Sequence, residues 1–81
     1  MSTTKNTATA SIPVLRKGSE GDTVFALQVL LAGYGYLQGR YVTGKYDDQT
    51  VTAVKDYQRD NKLSYIDGIC GKQTWGSLLG T

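Results

Sequence analysis

Eighty-one residues make one domain, and nine Lys plus Arg against seven Asp plus Glu leave a net charge of +2. That charge is too mild to imply a nucleic-acid partner, and no apolar run approaches the ~20 residues that cross a bilayer. One cysteine and no histidine exclude an intramolecular disulfide and remove the usual ligands of a zinc site, so stability must come from packing.

The first eleven residues, MSTTKNTATAS, are polar and lack apolar periodicity. They are expected to be a disordered leader or tail over 1–11, with one domain over 12–81. They lack the 7–15-residue apolar core of a secretory signal. Next, Val14-Leu15 leads into RKGSEGD, where Gly18 and Gly21 read as a turn and Asp22 as the acidic start of a helix. Val24, Leu27, Leu30, Leu31 and Tyr34 recur at helical spacing, so a first helix is expected over about Asp22–Ala32, stopped by Gly33 and Gly35. Residues 33–44, with four glycines and three tyrosines, read as loop, with Val42 suited to a short extended stretch.

A second helix is expected to open at Asp47, whose carboxylate suits the backbone N–H of Gln49 or Thr50, and to run to Asp60 or Asn61. Val51, Val54, Tyr57 and Gln58 share one face, with Ala53 flanking, and Leu63 packs behind it. Lys55, Asp56, Arg59 and Asp60 alternate in sign on the solvated side. Asp67-Gly68 make a second turn, Ile69 and Cys70 point inward, and a short helix follows over Lys72–Leu79, ended by Gly80.

One stretch occurs twice. GKYDDQTVTAV at 44–54 and GICGKQTWGSL at 68–78 superpose at an offset of 24. Gly44 matches Gly68, Tyr46 matches Cys70, and Gln49-Thr50 matches Gln73-Thr74. The expected fold is all-α: a compact three-helix bundle with two pseudo-repeated glycine turn–helix units, with at most a minimal strand pair in its loops.

Four pieces in order then carry a resemblance. LRKGSEGDTVFALQVLL, GYLQGRYVTGKY, DDQTVTAVKDYQ and DGICGKQTWGSLL, together covering roughly 14–79, resemble the three-helix peptidoglycan-binding domain of bacterial and phage cell-wall hydrolases. Thr43 stands where that pattern has aspartate, Asp47 where glycine is common, and Lys62 where the second helix often ends in glycine. The resemblance implies a non-catalytic module that targets an associated hydrolase or wall protein to peptidoglycan. The alternative is a protein–protein docking module in a secreted or phage assembly. It implies a monomer in the cell wall, periplasm or extracellular space, with no cofactor and no nucleic-acid or membrane partner. With no export signal in the chain, a fragment of a longer protein or a phage lysin is expected.

The ligand candidates are Tyr34, Tyr36, Arg40, Tyr41, Tyr46, Gln58 and Tyr65. Tyrosines set among glycines offer an apolar face and a polar tip, suited to sugars and D-amino-acid peptides. Arg40 and Lys45 suit a stem-peptide carboxylate. Gln58, paired in pattern with Gln28, suits either a loop backbone or a ligand amide. Tyr46 is expected to be partly buried like its counterpart Cys70, itself a buried thiol. Trp75 reads as core, and Thr50 and Thr74 as fasteners between turn and helix. The second repeat reads as the structural half.

Catalysis has little to work with. Without histidine, triads and zinc hydrolysis are excluded, and the carboxylate pairs Glu20/Asp22 and Asp47/Asp48 sit where helix starts explain them. A helix-turn-helix reading fails because no helix presents a basic face.

Overall fold

The computed structural model describes residues 13–80. The expected leader over 1–11 lies outside the described residues. Three α-helices follow one another: α1 (Asp22–Gly33), α2 (Asp48–Asp60) and α3 (Lys72–Leu79). A single 3-10 turn, Gly39–Tyr41, interrupts the loop that the sequence left irregular. No strand forms among the described residues, only two isolated antiparallel bridges, Leu15 with Cys70 and Glu20 with Lys45.

Local chemistry sets the helix ends. Asp47 caps α2 as expected, its carboxylate accepting from Thr50 N–H at 3.2 Å. Helix α1 ends one residue later than expected, in a Schellman closure: Tyr36 N–H donates to Leu31 O and Gly35 N–H to Ala32 O, with Gly35 at φ 90°. Helix α2 ends in the same motif, through Leu63 N–H to Gln58 O and Lys62 N–H to Arg59 O. There the left-handed position is Lys62, at φ 56° the one non-glycine with positive φ among the described residues. The Cβ of lysine strains that conformation.

The helices bury Val24, Leu27 and Leu31 from α1, Ala53, Val54 and Tyr57 from α2, and Trp75 and Leu78 from α3. Leu15, Leu37, Tyr46 and Cys70 join them from the loops, and Leu63 packs against the edge. Tyr34, which continues the helical spacing of α1 and stands among the ligand candidates, is the C-cap of α1 and is 54% exposed. Phe25 and Val29, one turn apart, also face outward at 48% exposure, so α1 is apolar on both sides.

The two turns are built alike, each around a buried glutamine from the preceding helix. Gln28 Oε1 accepts from the N–H groups of Thr43 (2.9 Å) and Gly44 (2.8 Å). Its Nε2 donates to Lys45 O and Thr50 Oγ1, both at 2.9 Å. In the second copy, Gln58 Oε1 accepts from Asp67 (3.1 Å) and Gly68 (3.0 Å), and Nε2 donates to Ile69 O and Thr74 Oγ1, both at 3.0 Å. Every partner in one copy matches a partner in the other at the offset of 24. The Thr43-for-Asp exchange fits the same scheme. Thr43 Oγ1 accepts from Lys45 N–H at 3.2 Å, as Asp67 Oδ1 accepts from Ile69 N–H at 3.0 Å. Gly68 sits at φ 75°, and a Cβ there would lie 2.9 Å from Val51 Cγ1.

Segment 15–21 laces the turns together. Leu15 and Cys70 exchange both backbone hydrogen bonds, Gly18 N–H donates to Tyr46 O, and Gly21 N–H donates to Gly44 O. Tyr46 then crosses between copies, its hydroxyl donating to Gly68 O at 2.6 Å. Burial raises the pKa of the Tyr46 phenol from its ordinary value and pushes the Cys70 thiol up to about 12.

Four outcomes are expected. Gln58→Leu leaves several turn groups unpartnered and lowers stability by about 3 kcal/mol or more, seen as a fall of at least ~12 °C in the thermal midpoint. Lys62→Gly relieves the left-handed strain and raises stability by roughly 0.5–1 kcal/mol in denaturant titration, while Gly68→Ala lowers it by about 2–3 kcal/mol. Cys70 and Tyr46 are weaker acids folded than unfolded, so folding favours their protonated forms. The urea midpoint should therefore hold up to about pH 9, the ordinary thiol value being 9.0, and fall as pH climbs from there toward about 12, less steeply in Cys70→Ala.

Candidate functional site

The sequence-predicted site residues separate into three groups. Tyr46 and Gln58 are only 3% and 1% exposed, and their polar tips are engaged in the turns. As ligand contacts they are corrected by their burial: Tyr46 is core, and Gln58 is the clamp of the second turn.

Tyr34 and Tyr36 form a second group, around Tyr57. Their rings lie 5.8 and 5.5 Å from the Tyr57 centroid, the second edge-on at 82°. Tyr34 Oη donates to Leu78 O at 3.0 Å, which satisfies a carbonyl near the end of α3. Tyr36 Oη donates to Asp60 at 2.9 Å, and that carboxylate raises the phenol's pKa. Tyr57 shares a 2.7 Å hydrogen bond with Ser77. The two loop tyrosines thereby join α1, α2 and α3.

The third group, Tyr65, Arg40 and Tyr41, borders open hollows. The larger hollow, about 550 Å³, lies over the second turn and the start of α3. Gln58 forms its floor, and Tyr65, Asp67, Ile69, Gly71, Lys72, Gln73 and Thr74 complete it. Tyr65 is 67% exposed, and its hydroxyl bonds no other described residue. Gln73 spends its carbonyl on Ser64 N–H at 2.8 Å, and its NH₂ bonds no other described residue. Lys72 forms no ion pair among the described residues. Asp67 also lines the hollow, but one carboxylate oxygen is held by Gln58 Nε2 at 3.2 Å and by Ile69 N–H. The arrangement presents an aromatic ring, an ammonium and an amide donor around a concave surface. It offers no nucleophile beside a base, and no group of acidic or cysteine side chains able to hold a metal occurs among the described residues.

The smaller hollow, about 200 Å³, lies between the 3-10 turn and α2. Tyr36, Leu37, Gln38, Arg40, Tyr41, Gln49, Thr52 and Ala53 line it. Arg40 lies over the Tyr41 ring, 5.4 Å from its centroid, and its Nε donates to Gln38 Oε1 at 2.9 Å.

The sequence reading did not single out Lys72, Gln73 or Gln49 as candidates, and it read the second repeat as the structural half; the larger of the two hollows lies over that repeat. A signal was present. The glutamines Gln49 and Gln73 repeat beside the threonines, and neither takes part in the threonine hydrogen bonds of the turns.

The sequence pattern of the family described as "Putative peptidoglycan binding domain" matches residues 20–78. Over 76 residues the chain is 34% identical to the spore cortex-lytic enzyme of Bacillus subtilis strain 168, a match covering 94% of this chain and 25% of that protein. Over 78 residues it is 35% identical to the N-acetylmuramoyl-L-alanine amidase CwlL of Bacillus licheniformis, covering 95% of this chain and 21% of that protein. The chain thus spans a quarter or less of the length of these curated relatives. Among solved structures, it superposes on the SleB N-terminal domain with a TM-score of 0.80 at 30% identity, covering 86% of this chain and 93% of that one. It also superposes on a peptidoglycan-binding protein from Clostridioides difficile, solved with glutamine hydroxamate, with a TM-score of 0.75 at 37% identity, covering 83% of this chain and 40% of that one. With its paired turns, its three helices and this match along most of its length, the chain belongs to the putative peptidoglycan-binding domain family.

Proposed function

We propose that the chain is a non-catalytic peptidoglycan-binding module whose principal contact surface is the hollow bordered by Tyr65, Lys72 and Gln73. The observation that carries this reading is that these three side chains converge on one concave surface with free polar groups, while Gln58 and Thr74 beneath are already bonded to each other. Peptidoglycan presents sugar rings, peptide amides and free carboxylates. An exposed tyrosine face, an amide donor and an ammonium match those three chemistries.

The relatives that share this domain are named as wall-degrading enzymes, and the match covers only a small part of each. A module of this kind serves a hydrolase by raising its effective concentration on an insoluble polymer. Its working place is the cell wall, periplasm or extracellular space. The monomer suffices, because the hollow is lined by one chain. A shallow surface on so small a domain gives weak intrinsic affinity. A protein-docking role has one observation in its favour, the outward Phe25 and Val29 on α1. That face suits contact with an accompanying domain and leaves the hollow free.

Insoluble sacculi should retain the chain on sedimentation. Tyr65→Ala and Lys72→Ala should each weaken retention by roughly five- to tenfold without altering the thermal midpoint. Retention should also fall as salt screens Lys72. Equal recovery of the chain with and without sacculi would sink the proposal, as would clearing of a wall suspension by the chain alone for its non-catalytic part.

A further inference from the structure

We propose that the smaller hollow is a second wall-binding subsite, related to the first by the internal repeat, that takes a carboxylate-bearing muropeptide through Arg40, Tyr41 and Gln49. This rests on the peptidoglycan reading of the larger hollow. The offset that superposes the turns also superposes Tyr41 on Tyr65 and Gln49 on Gln73. Each glutamine is the second residue of the helix that follows a clamped turn. Each tyrosine precedes its turn by the same interval. The Tyr–Gln pair that borders the larger hollow therefore recurs at the smaller one.

Each hollow also has one cation without an anionic partner, but from a different position. The repeat equivalent of Lys72 is Asp48, which pairs with Lys17 at 2.7 Å and brings no positive charge. Arg40 supplies it instead. Its Nε is committed to Gln38 and its plane to the Tyr41 ring, while its terminal nitrogens bond no other described residue. A guanidinium held in this way presents its outer edge, the edge that receives a carboxylate in a bidentate fork. The Gln49 amide and the Thr52 hydroxyl, on consecutive turns of α2, also bond no other described residue and border the same space. The first subsite offers an ammonium as a point charge and the second a planar fork. Both suit the free carboxylate of a stem peptide, and a polymer that repeats its peptides can occupy both from one chain.

The test is an NMR titration of the full chain with a soluble disaccharide-tetrapeptide, alongside sedimentation with sacculi. Two groups of resonances should shift, one around Tyr65 and Gln73, the other around Tyr41 and Gln49. Arg40→Gln should abolish only the second group and Tyr65→Ala only the first. Each single variant should lose roughly tenfold in retention on sacculi, and the double variant more. Shifts confined to the Tyr65 group would overturn the second subsite and leave the proposed function standing. Shifts confined to the Tyr41 group would overturn the two-subsite inference and the principal site together. Retention on sacculi that neither variant alters, with no shift in either group, would overturn both site assignments. Failure to sediment with sacculi at all would overturn the function, and the inference with it.

Discussion

Two buried side-chain amides hold this molecule in shape. Gln28 and Gln58 stand on α1 and α2, and each reaches into the turn that follows its helix. One end of the amide accepts two backbone N–H groups, while the other donates to a carbonyl and to a threonine hydroxyl on the next helix. The inward-facing backbone groups of a turn need such partners, because they have no ladder to join. Glutamate would lack the donor and leucine both functions. Together with the Asp47 cap, these contacts fix where α2 and α3 begin.

That arrangement limits which polar groups stay accessible. The polar groups nearest the centre of each repeat are consumed by the clamp, so the accessible ones lie around it. The clamp fixes the start of the following helix, and the second residue of that helix is the glutamine that borders a hollow. Tyr46 and segment 15–21 tie one turn to the other, so the two hollows stand on a common frame. The Tyr–Gln border recurs with the turn, while the cation beside it differs, Lys72 at one hollow and Arg40 at the other.

The tyrosines show how one residue type divides between roles. Tyr46 and Tyr57 are core, Tyr34 and Tyr36 brace Tyr57 and tether α1 to α2 and α3, and Tyr65 keeps its face and hydroxyl open. The same amphipathic chemistry serves packing where a polar partner lies within reach, and leaves an accessible ring and hydroxyl where none does. Lys62 is the counter-example within the fold. The backbone of the α2 ending requires a left-handed residue, and the chain places lysine there under strain.

Helix periods, the Asp47 cap, the span of α3 and the repeat itself were legible from residue type and spacing, because local sterics and burial act over a few residues. So were the buried Trp75 and Cys70, for which a small chain has no other use. The pairing of Gln28 with Gln58 could be seen, but not its purpose. Whether an amide meets a turn or a ligand depends on which loop folds back to it, and those partners lie up to 22 residues away in the chain. The binding surface was read toward the tyrosine-rich loop, where composition is conspicuous. Tertiary structure decided which of these side chains stay accessible, because exposure is a property of assembled neighbours: it closed Tyr46 and Gln58, braced Tyr34 and Tyr36, and left Tyr65, Arg40 and Tyr41 beside open hollows.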